Sequence, residues 1–418
     1  MSKTAKFIAS TLLVTAFTAG CSSQVPLSTL TLNSTKAYKM DMSEFGANGI
    51  SKSRISIKFN KTTDLSAFAA KYGLTLKKTI NPIKTSIFTV SGSTPEAAIA
   101  KIRKNEGANI AFADTVSVVK LEKEINDPRA KEQFALTVTN SLKAWDVTMG
   151  AMTTQIAVID TGIDPDHPDL VNKVVAKYNV FTKDDKVKDG AGHGTHTAGI
   201  AAAEANNNIG IAGMAPQCGL MIVQVLDANG SGSEETIADG VTWAADHGAK
   251  VMTMSLGLYK RSPIVEAALQ YALDKDVVLV ASAGNSNKKN DPITAPHLPS
   301  TYPGVVEVAA TDKNDKKASF SNYGKTVTVA APGVDILSTV PTYKTDDAEG
   351  TNYALMSGTS MASPCAAGVI GLIRAQHPDW KREQVVESLK KATNDLGGAG
   401  FDELFGNGRV DSLKAVNL

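Results

Sequence analysis

Cysteine is scarce in this sequence, with three among 418 residues. Stability therefore has to come from something other than a disulfide framework, and nothing resembles the paired CxxC spacing of a structural metal site. Excess charge is missing too. The formal net charge is +1, and without long basic runs there is no electrostatic footprint for nucleic acid and no reason to expect a strongly charged substrate. No segment supplies the roughly 20 consecutive apolar residues that a membrane-spanning helix needs. What is present is a composition 43% hydrophobic and 20% charged, the balance of a soluble globular protein. The chain exceeds the roughly 100–200 residues usual for one domain, which predicts an export signal followed by two folded units.

Lys3 and Lys6 precede an uncharged, mostly apolar run over residues 7–19 that ends in small residues, the pattern of an export signal. Thr18-Ala19-Gly20-Cys21 resembles the lipobox of bacterial lipoproteins, in which the cysteine is acylated and becomes the mature N-terminus; Thr18 stands where Leu is usual. Residues 1–20 are read as a lipoprotein-type signal peptide and Cys21 as a lipidation site, against an ordinary signal peptide with an incidental cysteine. Cys218 and Cys365 flank apolar sequence and read as buried thiols.

Residues 21–52, rich in Ser, Thr and Asn, suit a tether. Alternation predicts strands over 54–59, 86–90 and 109–121, and helical spacing covers 63–72. Thr94-Pro95-Glu96 places a capping residue before a proline at the first helical position. Residues 53–122 thus form a small α+β domain. Asn126-Asp127-Pro128, in the charged stretch 122–131, marks an exposed boundary open to proteolysis. In the larger domain, residues 123–418, the apolar runs 155–159, 221–225, 250–254 and 277–281 resemble buried parallel strands, separated by helical patterns over 234–246 and 263–274. This is an α/β pattern, which predicts a doubly wound, mostly parallel sheet with helices on both faces. In such sheets functional groups gather at the carboxyl ends of strands.

Asp160 directly follows Ile156-Ala157-Val158-Ile159, where a carboxylate could orient a catalytic base, cap a turn or bind a metal. Gly192-His193-Gly194-Thr195-His196 leads into a small-residue helix; the histidine pair could hold a metal, but no third ligand sits nearby at ligand spacing. Ser357-Gly358-Thr359-Ser360-Met361-Ala362-Ser363-Pro364 precedes another small, apolar helix. Ser360 then lies at a helix N-terminus, whose partial positive charge favours a developing oxyanion. A hydroxyl needs a base to become a nucleophile; an imidazole serves, and a carboxylate fixes its tautomer.

These three signatures, in the order Asp, His, Ser, resemble those of the subtilisin-like serine peptidases from about Asp127 to the C-terminus. The resemblance implies a serine endopeptidase in which Asp160 orients, His193 is the base and Ser360 the nucleophile. It assigns Asn285, in Ser282-Ala283-Gly284-Asn285, to the oxyanion; alone, an Asn after Gly is more often a turn former. Gly230-Ser231-Gly232 and Ser255-Leu256-Gly257 match the segments that flank an extended peptide, with Ala283 and Gly284 implying an open primary pocket and Glu234 and Ile237 bordering a more distant one. Asp127, Asp169 and Asn207 match the side-chain ligands of a structural calcium, although residues 203–209 hold one residue more than the commonest form of that loop. Cys365 stands where many relatives have His and is expected to pack. Catalysis needs no cofactor.

The small domain resembles the inhibitory propeptides of these enzymes, and cleavage near residues 121–127 is expected to be the enzyme's own first reaction, parting the catalytic domain from the Cys21 anchor. The expected partners are polypeptide substrates, the chain's own propeptide and, before processing, a membrane; a monomer is expected. A catalytically silent lipoprotein using this scaffold for binding would show a substituted Asp, His, Ser or Asn, and none is lost. An esterase would share the chemistry, but the strand-binding segments favour peptides.

Overall fold

The computed structural model describes residues 41–46, 49–118, 125–345 and 349–418. Cys21, the signal segment and residues 119–124 lie outside the described residues. Two compact units, residues 1–120 and 121–418, divide the chain.

In the first unit, β1 (Ile50–Phe59), β2 (Leu74–Ile80), β3 (Thr85–Val90) and β4 (Ile110–Ser117) form an antiparallel sheet in the order β2-β3-β1-β4. Ile55 and Ile57, two apart and so on one face, pack with Phe88, Ala113 and residues of the helices Leu65–Tyr72 and Pro95–Glu106. Both helices start where the chain supplies a cap: Asp64 accepts from Ser66 and Ala67 N–H, and Thr94 accepts from Ala97 N–H ahead of Pro95. The first strand begins at Ile50, not at Arg54: Ile50 is in register with Ser117 of β4, and buried Ser51 bridges to buried Phe45; residues 50–52 are strand, not tether. The unread β2 is exposed beyond Leu74, and a register shift between Leu76 and Lys78 breaks the alternation that would have marked it.

The second unit is built on a nine-stranded sheet. Its strands are β5 (Gln155–Asp160), β6 (Val174–Asn179), β7 (Gly219–Gln224), β8 (Val251–Met254), β9 (Val278–Ser282), β11 (Val306–Thr311), β13 (Val327–Pro332), β16 (Thr393–Asn394) and β17 (Arg409–Val410), with β10 (Lys289–Asn290) and β12 (Tyr323–Gly324) paired separately and β14 (Ile336–Val340) and β15 (Asn352–Met356) forming an antiparallel pair. The order β16-β17-β13-β11-β9-β8-β5-β7-β6 is parallel except where β16 meets β17. Successive residues of β5 feed opposite cores: Ile156 and Val158 join the helices His193–Ala202 and Thr359–Gln376, whereas Ala157 and Ile159 join the helices Glu234–Asp246 and Pro263–Asp274. A sheet buried on both faces reads as continuous apolar runs, which is why its central strands were legible. β6, β11 and β13 were not; in β6 only Asn179 is buried, and β11 carries Glu307 among apolar residues.

Candidate active site

Asp160 is the last residue of β5, and His193 opens the helix His193–Ala202. Two glycines let them meet. The chain turns at Gly162 with φ +111°, and a Cβ on Gly194 would lie 2.2 Å from the Gly162 carbonyl oxygen, so any side chain there would push the helix start off the strand end. At this separation Asp160 Oδ1 lies 2.8 Å from His193 Nδ1. Asp160 is 1% exposed, and its carboxylate also accepts from Thr161 N–H (2.8 Å) and the Thr197 hydroxyl (3.3 Å). With no donor of its own, the carboxylate takes the proton on Nδ1, which puts the basic lone pair on Nε2.

Sequence reasoning missed the residue that holds this corner together. Asp189, fully buried, accepts from the Thr161 hydroxyl (2.8 Å), Ala191 N–H (3.1 Å) and Gly192 N–H (2.8 Å) on Oδ1, and from Thr195 N–H (2.8 Å) and its hydroxyl (2.7 Å) on Oδ2. One carboxylate thereby ties the end of β5 to the start of the histidine helix, where a negative charge also complements the helix dipole. The signal was an acid four residues before His193 in a glycine-rich loop, which reads as a surface turn.

Ser360 stands, partly exposed, in the first turn of the helix Thr359–Gln376, whose N-cap Gly358 offers no side chain. Asn285 reaches this turn from the loop after β9. Its Oδ1 accepts from Thr359 N–H (2.9 Å) and the Thr359 hydroxyl (2.8 Å), so its NH2 is turned the other way. The site a Cβ would take on Gly358 is 3.5 Å from both Asn285 Nδ2 and Ser360 N. Two N–H donors thus flank one small space, the arrangement an oxyanion requires. Pro364 lies within the same helix, and its missing N–H frees the Ser360 carbonyl four residues back. The Ser255 hydroxyl donates to that carbonyl at 2.8 Å, linking the nucleophile's turn to the segment after β8.

A cleft of about 740 Å³ opens beside His193 between Gly230, Ser231 and Gly232 on one wall and Ser255, Leu256 and Gly257 on the other, with Glu234, Ile237 and Lys260 further along. Ala283 and Gly284, expected to open a primary pocket, do not line it. Both are buried, and the His297 ring lies against Gly284.

Asp127, Asp169 and Asn207 do come together. Asp127 accepts from Asn206 and Asn207 N–H, Asp169 from the Asn207 side-chain NH2 (2.9 Å) and Ile211 N–H (3.0 Å). Burial first, then the Asp169 charge, pushes the Asp127 carboxyl above its ordinary value despite the two amides. Two buried carboxylates side by side form an oxygen-donor set of the kind a hard dication neutralises. His196 is fully buried, its Nε2 lies 3.2 Å from the Ala354 carbonyl, and burial pushes it down to about 3. Cys218 and Cys365 are free, buried thiols, pushed by burial up to about 11 and about 12.

The subtilase family model matches residues 152–408, and a model of the fervidolysin N-terminal prodomain matches residues 52–114. Thermitase of Thermoactinomyces vulgaris is 42% identical over 292 residues, covering 70% of this chain and 98% of thermitase. A protease of Pseudoalteromonas arctica has a solved structure similar to this one, with a TM-score of 0.64 and 31% identity over 70% of this chain and 99% of that chain. Fervidolysin of Fervidobacterium pennivorans, a keratinolytic enzyme related to subtilisin, is similar with a TM-score of 0.62 and 29% identity over 88% of this chain and 61% of its own.

Proposed function

This chain belongs to the subtilase family, and on that premise we propose how its residues divide the work of a subtilisin-like serine endopeptidase. His193 Nε2 takes the proton of the Ser360 hydroxyl as Oγ attacks the scissile carbonyl, while Asp160 holds the ring through Nδ1 and stabilises the imidazolium. The carbonyl oxygen, now an anion, accepts from Asn285 Nδ2 and Ser360 N–H. Collapse of this intermediate expels the amine, which leaves with the proton carried by His193, and the peptide's acyl part stays on Ser360. Water, deprotonated by the same imidazole, then releases the acid and restores the serine. The observation that carries this reading is the 2.8 Å Asp160–His193 hydrogen bond at the mouth of a peptide-sized cleft.

The unit matching a prodomain supports a precursor that cuts itself near residues 121–127, and Cys21 would tether that precursor to a membrane until the cut. Asp127 and Asp169, with Asn207 beside them, would hold a calcium ion, which would neutralise the two carboxylates and brace the loop. Adding calcium to chelator-treated protein is expected to raise the melting temperature, and to do so much less in Asp169→Asn.

The function is tested by treating the precursor and its Ser360→Ala variant with a fluorophosphonate and following intact mass over time. Labelling of the wild type alone, with loss of the N-terminal mass only when Ser360 is present, is the expected result. A wild type that neither labels nor matures with calcium supplied would favour a binding module. Mature enzyme still carrying an acyl chain would overturn the release step.

A further inference from the structure

On the peptidase reading, a peptide whose carbonyl lies between Asn285 and Ser360 presents the side chain of that residue to the space between the Ser255-Leu256-Gly257 segment and Ala283-Gly284, the segments the resemblance assigns to the substrate. In this chain a ring already occupies that space. Leu258 and Leu298 exchange two backbone hydrogen bonds, of 2.8 and 2.9 Å, and this bridge carries His297 onto the face of Gly257. A Cβ on Gly257 would lie 2.3 Å from His297 Nε2, and a Cβ on Gly284 would lie 3.1 Å from the same atom. One imidazole nitrogen therefore reaches both walls. The Tyr259 ring, 4.7 Å from the imidazole, closes the remaining side, with its hydroxyl 3.1 Å from the Gly284 Cβ position.

The ring is held where it is. His297 is 3% exposed, its Nδ1 lies 3.0 Å from Ser300 Oγ, and Ser300 Oγ lies 3.2 Å from the buried carboxyl of Glu307 in β11. Burial pushes the imidazolium down to about 4, so near neutral pH the ring is uncharged and offers no attraction for an acidic side chain.

We propose that His297 is the floor of the primary specificity pocket and that it restricts the residue before the scissile bond to small side chains such as Gly, Ala and Ser. This rests on the peptidase reading above. A filled pocket rejects a large side chain by overlap, and even one methylene in a closed pocket changes selectivity by roughly 10- to 200-fold.

The test uses mature enzyme made from the full chain and two fluorogenic peptides that differ only in Ala or Phe before the cut. Wild type is expected to favour Ala in kcat/KM by at least about tenfold, and His297→Gly to move the Phe-to-Ala ratio at least about tenfold toward Phe. His297→Asn, which keeps a polar atom toward Ser300, is expected to move it the same way. Mapping the cuts that wild type makes in a denatured protein needs no variant and is expected to show small residues before them. A wild type that favours Phe, or variants that label at Ser360 and cut with an unchanged ratio, would overturn the inference while leaving the peptidase reading intact. Loss of labelling and hydrolysis in wild type would overturn both.

Discussion

The two units hold themselves together by different means. The small one has a single core, built from one face of an antiparallel sheet and two helices, and the residues of that core are apolar; its order comes from local devices such as the Asp64 and Thr94 caps. The large one is buried on both faces of its sheet, and it also buries Asp160, Asp164, Asp169, Asp189, His167, His196 and Glu307. Each of these groups has to find partners that the apolar core cannot supply. A catalytic centre needs ionisable groups held away from water, and the cost of holding them is met by contacts between distant parts of the chain. Among its described residues the small unit buries no ionisable side chain.

That contrast can be broken first with pH. All six histidines lie in the larger unit. Burial pushes His196 down to about 3 and His297 down to about 4, so both stay neutral while the unfolded chain takes up their protons near pH 6.5. The unfolded state then binds more protons, so the stability these groups allow is full above pH 6.5 and falls as pH drops toward 4 and 3. For His196 the complete descent from 6.5 to about 3 corresponds to about 5 kcal/mol. Glu307, pushed up by burial, works in the opposite sense. Thermal scans of the full chain between pH 7 and 4.5 are expected to show the larger unit melting earlier, with hydrogen exchange in the small unit little changed. A larger unit indifferent to this range would break the comparison.

Asp189→Asn tests the same idea through geometry. Each oxygen of the carboxylate accepts at least two donors, and the amide turns one of them into an NH2 facing hydrogens. Stability is expected to fall by about 2–4 kcal/mol, since buried donors left unsatisfied cost about 1–3 kcal/mol each, and kcat is expected to fall with it as His193 loses its fixed approach to Asp160. Calorimetry and steady-state kinetics on the same preparation would show whether the two losses travel together. The smallest effect is expected on the other side of the comparison: Thr94→Ala removes one local cap, costs about 1 kcal/mol and is expected to loosen exchange only around the helix Pro95–Glu106.

Much of this could be read from the residues in order. The strands β5, β7, β8 and β9 announce themselves because both faces are buried, and the helices Glu234–Asp246 and Pro263–Asp274 ended where their apolar spacing ended. Asp160, His193, Ser360 and Asn285 stood out as candidates because each sits in a short run rich in small neighbours. What went unread was of another kind. β2 hides behind its irregular register, Asp189 looks like a turn acid, and Thr359 looks like a spacer although it orients the Asn285 amide. Ala283 and Gly284 read locally as the walls of an open pocket, whereas the ring of His297, thirteen positions after Gly284, lies against Gly284.

The sequence by itself determined the α/β class and the serine-peptidase chemistry, and pointed to the residues proposed to carry it, because periodicity and motif are properties of neighbours along the chain. Only the tertiary structure decided how Asp160 and His193 are locked together, which way the Asn285 amide faces and what fills the space beside Gly257. Those depend on which buried group meets which, and a hydrogen bond or an overlap between residues far apart in sequence leaves no periodic trace in either segment alone.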